Sequence, residues 1–318
     1  MKPRKTNGLA VLSCLLLATP VSAETLRVGY AAQSPTFSAP IDTAQEQGFF
    51  KQVGLDVVPT TFGGGAKLHA AMIAGASDIG LGTGSDFAFI VKGAPEKCVY
   101  LVVDKPFSIG VAITNPAIKT PDDLKGRKIG VTSTGAYTYW FASELPHFLH
   151  WPPGVGITPV SVGGAAAGQL AALTTGQIDA VVFDISTGLQ LQHDGKGRLL
   201  LDAADYVKDV VTTVVWAHND LSSGHPDELR RFLAAMRKAT DYLIDHRDYQ
   251  VDLIVRETGL SKDVIGPYVD ITNAGWSRTG AITPAQLKGS AEALVQAGLL
   301  ESVPDLAPFY TAAFDPKP

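Results

Sequence analysis

The chain writes one pattern twice. "FGGGAKLHAAMIAGASDIGLGTGSDF" at residues 62–87 returns as "VGGAAAGQLAALTTGQIDAVVFDIST" at residues 162–187. Each copy runs from a Gly-rich loop into an Ala-rich helix, then to a glycine near the helix end (Gly75, Gly176). An aspartate three residues on (Asp78, Asp179), a short apolar strand and a polar loop complete it. A strand-and-helix unit written twice implies two similar α/β lobes.

The flanking segments extend both copies. "TLRVGYAA" (25–32) reads as a buried strand, "SAPIDTAQEQGFF" (38–50) as a helix stopped by Gly48, and "LDVVPTTF" (55–62) as a second strand. A helix over Lys67–Ala74 and the strand "DIGLG" (78–82) follow. This order, with near-continuous apolar strands, predicts a parallel sheet covered on both faces. The pattern restarts at "RKIGVTS" (127–133), after a helix start "KTPDDLKG" with Thr120 as N-cap and Pro121 at the first helical position. A helix near 136–149, the strand "GITPVSV", a helix over 165–174 and the strand "DAVVF" (179–183) complete the second lobe.

Two β-rich segments, "FSIGVAITN" (107–115) and "VVTTVVWAHN" (210–219), flank that lobe and read as crossing strands. The expected fold is therefore α/β: two Rossmann-like lobes joined by two crossing strands. Lobe one takes residues 24–110, lobe two 111–212, and a mostly helical return segment 213–318 packs back on lobe one. In that segment Leu229, Phe232, Leu233, Met236, Ala239 and Leu243 form one apolar stripe, and Thr283 caps a last helix stopped by Gly298. Open α/β sheets bind ligands beyond the carboxyl ends of their strands, so the gap between the lobes is the expected site, with hinge closure around the ligand.

Residues 1–23 read as a secretory signal peptide: Lys2, Arg4 and Lys5, an apolar run from Leu9 to Ala18, and the small-residue site Val21-Ser22-Ala23, with cleavage after Ala23. A lipoprotein reading centred on Cys14 is the alternative; Leu12 suits it poorly. Cleavage takes three of the 26 basic residues and none of the 31 acidic ones, leaving a formal charge of −8. No basic stripe marks a nucleic-acid or anionic-membrane partner. Only Cys98 remains, so no intramolecular disulfide is expected.

The ordered series "LRVGY…FSAPIDTAQEQGFFKQVGLDV", "FGGGAKLHAAMIAGASDIG", "IKTPDDLKGRKIGV", "LTTGQIDAVV", "HPDELRRFL" and "QAGLLESVPDLAPFYTAAF" resembles the periplasmic solute-binding proteins of ABC importers with the type II fold. The group is the sulfonate, taurine, nitrate and thiamine-precursor (NMT1/THI5-like) one. Each motif alone is weak, and the series spans nearly all of the mature chain. The resemblance implies a monomeric periplasmic receptor without cofactor or metal. It would capture a small molecule and hand it to an inner-membrane permease driven by a cytoplasmic ATPase. The leading expected ligand is a sulfonate or taurine-like anion, with or without an amine, and a pyrimidine or aromatic compound is the alternative.

The candidate ligand contacts sit in the loops. Gly63, Gly64 and Gly65 ahead of one helix, and Gly163 and Gly164 ahead of its counterpart, can present bare backbone N–H groups to an anion, or simply permit a tight turn. "TSTGAYT" offers Ser133, Thr134, Tyr137 and Thr138 at another helix start, and the resemblance implies that this loop touches ligand. Asp86 and Asp184 follow the third strand of each lobe. Each either caps the next helix or faces the cleft, where it would accept hydrogen bonds from an amino group. Gln33, Phe37, Ser38, Thr83 and Ser85 complete the set, and Phe62, Phe87, Tyr139, Trp140 and Phe183 crowd the same loops as core or as stacking surfaces.

The competing class is an enzyme. The sequence has no G-x-S-x-G elbow, H-E-x-x-H, Walker lysine loop or complete G-x-G-x-x-G. His147 and His150 are three apart, with no acidic or thiol ligand at a zinc spacing. Thiamine-pyrimidine synthases share the fold that the resemblance implies, yet their Cys-rich iron motif is absent here. A third class, a binding protein that reports to a membrane sensor, is separated from import by gene neighbourhood.

Overall fold

The computed structural model describes residues 24–104 and 109–314; the expected signal peptide, the Cys14 alternative and the start of the first crossing segment lie outside them. Lobe one opens with β1 (Glu24–Tyr30), α1 (Pro35–Glu46), α2 (Phe49–Gln52), β2 (Leu55–Thr61), α3 (Gly65–Ile73), β3 (Ile79–Thr83), α4 (Phe87–Val91) and β4 (Glu96–Val103). Lobe two holds β5 (Ile109–Ile113), β6 (Lys128–Val131), α5 (Tyr137–Phe148), β7 (Thr158–Ser161), α6 (Ala166–Thr174), β8 (Ala180–Asp184), α7 (Ile185–His193) and β9 (Arg198–Asp202). The chain then returns through β10 (Thr213–His218) to α8 (Pro226–Asp245), α9 (Arg247–Thr258), α10 (Lys262–Thr272) and α11 (Pro284–Gln296).

The two sheets have one topology. The first is ordered β2-β1-β3-β10-β4 and the second β7-β6-β8-β5-β9. Neither is purely parallel as expected. In each, the strand that has just crossed from the other lobe lies antiparallel between its neighbours, β10 between β3 and β4, and β5 between β8 and β9. The physical reason is direction: a strand that enters from the cleft runs opposite to the strands that end there. The repeated aspartates do the same work at the far end of both sheets. Asp78 accepts the Arg27 N–H (2.9 Å) and Asp179 the Lys128 N–H (2.9 Å), each tying the third strand's start to the first strand.

Local signals place most elements. Ser34 caps α1 four residues ahead of the expected helix, because its hydroxyl accepts the Thr36 N–H and Pro35 fits the first turn. Gly48, at φ 68°, ends that helix in the left-handed region. The segment "KTPDDLKG" forms its capping box between Thr120 and Asp123 but only one 3₁₀ turn, Pro121–Leu124, since Gly126 at φ 73° reverses the chain. The apolar stripe of α8 is wholly buried. Phe232 stacks on Phe50 with ring centroids 5.4 Å apart, and each such large side chain stabilises by about 1.5–3 kcal/mol.

The return segment does not pack on lobe one alone. Ile254, Ile265, Tyr268 and Val269 of α9 and α10 form a core with Ile185 of α7, and Ala293 of α11 joins the second lobe's core. The C-terminal helices thus bridge both lobes around the cleft.

Candidate functional site

The carboxyl ends of the two sheets meet in a closed cleft. Gln33 N–H donates across it to the Gly164 carbonyl (3.2 Å), and Ser34 Oγ donates to Asp184 Oδ2 (2.6 Å). Gly64, at φ 123°, packs so tightly on Ser133 that a Cβ would collide with its hydroxyl. A glycine is required there for both reasons.

Closure leaves two adjoining cavities that share Ser34, Phe183 and Asp184. The inner one, about 60 Å³, is bounded by Gly64 and Gly65 at the start of α3 and by Ala136, Tyr137 and Thr138 at the start of α5. Neither helix start has a side-chain cap, so the positive ends of two helix dipoles meet this space. Phe37 and Thr83 complete the wall. Thr138 Oγ1 holds the loop in shape by accepting the Thr132 N–H (3.0 Å). Burial pushes the Tyr137 phenol far above its usual range, so it remains a neutral hydroxyl.

The outer cavity, about 360 Å³, lies between α1, α7 and the end of α9. Gln33, Ser38, Asp42 and Tyr30 line one side, Ser186, Thr187 and Gln190 the other, and Glu257 a third. Among the described lining residues of both cavities there is no Lys, Arg or His. Glu257 is pushed up to about 8 by burial and by Asp42, against a hydrogen bond from Ser38 Oγ (2.6 Å). Burial likewise raises Asp42.

Asp184 serves both neighbours. Its Oδ1 caps α7 by accepting the Ser186 N–H (3.0 Å), while Oδ2 takes the Ser34 hydroxyl and the Tyr268 hydroxyl (3.4 Å). Burial raises its pKa despite these donors, which lowers its repulsion of an anion in the inner cavity.

Asp86 lines neither cavity. It sits three residues past the end of β3, inside lobe one, fully buried. Its Oδ2 accepts the Thr83 N–H (2.7 Å) in a capping box and lies 3.3 Å from His69 Nε2. His69 Nδ1 is 2.6 Å from Glu96 Oε2. Burial opposes a charge on this imidazole, but Asp86 and Glu96 outweigh it and raise His69 to about 9.

Of the other expected contacts, Ser85 borders a small void beside Tyr137 and Trp140, Thr134 is exposed, and Ser133 and Gly164 form interlobe contacts rather than cavity wall. Sequence reasoning missed Ser34, Asp42, Glu257 and Tyr268. The i, i+4 spacing of Ser34, Ser38 and Asp42 on α1 was a readable signal; Glu257 and Tyr268 come from the distant return segment and gave none.

The comparisons with known proteins agree with this architecture. The NMT1/THI5-like family matches residues 36–249. A 4-amino-5-hydroxymethyl-2-methylpyrimidine phosphate synthase, THI13 of Saccharomyces cerevisiae, is 28% identical over 229 residues, 67% of this chain and 65% of the yeast protein. The matched region is thus just under two thirds of that protein's length. Among solved structures, the alkanesulfonate-binding protein SsuA from Xanthomonas axonopodis pv. citri, bound to MOPS, superposes with a TM-score of 0.74 at 20% identity, covering 90% of this chain and 98% of that one. The periplasmic nitrate-binding protein NrtA from Synechocystis PCC 6803 gives 0.68 at 14% identity, covering 87% and 82%. These likenesses show the fold, that of the periplasmic binding proteins. With two lobes of one topology closed over a cleft, and the family's signature running through both, the chain belongs to the NMT1/THI5-like family.

Proposed function

We propose that this protein is the ligand-capturing receptor of an ABC importer in the periplasm, and that it binds rather than transforms its ligand. The ligand is a small taurine-like molecule with an anionic head and an amino group, delivered by the closed receptor to an inner-membrane permease with its ATPase. The observation that carries this reading is the polarity of the two cavities. The inner one meets two uncapped helix starts, which favour an anion; the outer one is lined by carboxyls, which favour an amine. A bare inorganic anion would fill only the inner cavity.

An aminopyrimidine is the second reading. It is favoured by the aromatic wall of Phe37, Tyr137 and Phe183 and by the similarity to the yeast synthases.

A thermal-shift screen tests both. A ligand at about a thousand times its dissociation constant stabilises the native state by ~4 kcal/mol, or roughly ten degrees for a chain this long. Taurine is expected to give such a shift, and nitrate and bicarbonate none. A shift with aminopyrimidine alone replaces the first reading by the second, and turnover of any bound compound overturns the receptor role.

A further inference from the structure

The outer cavity gathers polar side chains around two buried atoms without a partner, Tyr30 Oη and Glu257 Oε1. Ser34, Ser38 and Asp42 follow one another at i, i+4 on one face of α1, and Tyr30 ends β1 beside them. Glu257 arrives from the last turn of α9. Ser38 Oγ donates to Glu257 Oε2 at 2.6 Å, and Asp42 lines the same cavity and raises Glu257 by its charge. Glu257 Oε1 is buried without a partner.

Tyr30 supplies the second observation. It is 6% exposed, lines the cavity, and its hydroxyl has no hydrogen-bond partner. Asp42 and Glu257 both act on that hydroxyl electrostatically. A buried phenol without a partner is costly, so the Tyr30 hydroxyl marks a donor-acceptor position beside the two carboxyls.

No cation neutralises this pair among the described residues. On α1 the next carboxylate, Glu46, adds negative charge and takes the neighbouring Arg256 by two hydrogen bonds of 2.8 Å. Across the cavity, β8 contributes Asp184, while α6 and α7 contribute only apolar and uncharged polar groups. β2 contributes Pro59, Thr60 and Thr61. Burial and the charge of Asp42 raise Glu257 to about 8, so the group holds a proton at neutral pH.

We propose that Asp42, Glu257 and Tyr30 form an ammonium subsite that selects ligands carrying a primary amine. This deepens the receptor reading above and rests on it. When the ammonium enters, its N–H groups take over the role of that proton, which leaves for the buffer. Asp42 and Glu257 then accept its hydrogen bonds as carboxylates, and the Tyr30 oxygen accepts a third.

Two matched pairs of probes test the subsite by isothermal titration: taurine against ethanesulfonate, and diaminopropane against propanediol. The amine of at least one pair is expected to bind about tenfold to a hundredfold tighter than its partner. Titrations in phosphate and in Tris near neutral pH are expected to differ by the heat of releasing close to one proton.

In D42N/E257Q both the preference and the proton release disappear. The same variant has a melting temperature at or above that of the parent, because buried acids have been removed; Tyr30→Phe loses part of the preference. No amine advantage in either pair, or an advantage that survives D42N/E257Q, overturns the subsite. Equal binding of taurine and ethanesulfonate leaves the receptor reading intact, so the two failures are distinguishable.

Discussion

Asp86 and Asp184 each follow the third strand of a lobe, and their carboxyls end in opposite surroundings. Counted from the matching aspartates Asp78 and Asp179, Asp184 stands where lobe one has Thr83, at the strand's last position, whereas the counterpart of Asp86 is Thr187. An offset of three residues moves a carboxyl from the cleft into the interior. There His69 and Glu96 hold Asp86 in a buried ionic group, while Asp184 keeps one oxygen for its helix and turns the other across the cleft to Ser34. Both act as caps, and only one of them can meet a ligand. The same residue type after the same strand thus maintains a lobe in one case and joins the two lobes in the other.

The largest effect expected from breaking this comparison is on stability. Asp86→Ala leaves the imidazolium of His69 short of a partner in the core, which costs about 3–5 kcal/mol. That should lower the melting temperature by roughly ten degrees with the affinity of the folded fraction unchanged. Calorimetry of D86A and D184A together checks the contrast. A small loss in D86A would mean that Glu96 alone neutralises His69.

Asp184→Ala should show the reverse balance. Its helix cap is worth about 1 kcal/mol, whereas a lost charged hydrogen bond in the cleft weakens ligand binding by about tenfold to a hundredfold. Asp184→Asn retains much of the cap and separates the two contributions by titration.

pH reaches the interior of lobe one and the cleft edge through different groups. His69 rises from 6.5 to about 9 on folding, so its contribution is complete below about 6.5 and is lost as pH climbs through about 9. Glu257 rises from 4.5 to about 8, so the ligand-free fold loses stability from about pH 4.5 up to about 8 as the unfolded chain ionises first. The ligand-free protein should therefore melt lower as pH rises across both windows. Glu257→Gln should flatten the acidic part, and His69→Gln the alkaline part. A melting temperature independent of pH would contradict both assignments.

The smallest effect is expected at Ser34. Ser34→Ala removes the cap of α1 and its bond to Asp184, a loss of about 1 kcal/mol. Small-angle scattering should then show a larger open fraction without ligand.

Much of the lobes was legible because their signals are local. Gly75 and Gly176 both adopt positive φ after their helices, the Thr283 capping box forms with Gln286, and the α8 stripe reads directly as its buried face. β4, β9 and α9 went unread although Gly93, Gly195 and Gly259 adopt positive φ at their ends, and the antiparallel place of β5 and β10 follows from crossings that no local pattern encodes. At the site, Gly64, Gly65, Tyr137 and Thr138 were legible as glycine-rich or hydroxyl-rich helix starts. Asp42 could be read only through its i, i+4 spacing from Ser38, and Glu257 not at all, since it reads alone as an ordinary charged residue on a helix.

The sequence by itself determined the duplicated unit, the presence of its helices and a cleft between two lobes, because hydrophobic period and capping act within a few residues of chain. Tertiary structure alone decided which aspartate faces that cleft, which carboxyls line one cavity, and that the C-terminal helices bridge both lobes. Those outcomes depend on burial and on electrostatic partners brought from positions more than two hundred residues apart, such as Ser38 and Glu257, and a carboxyl's environment is fixed only when every wall around it is in place.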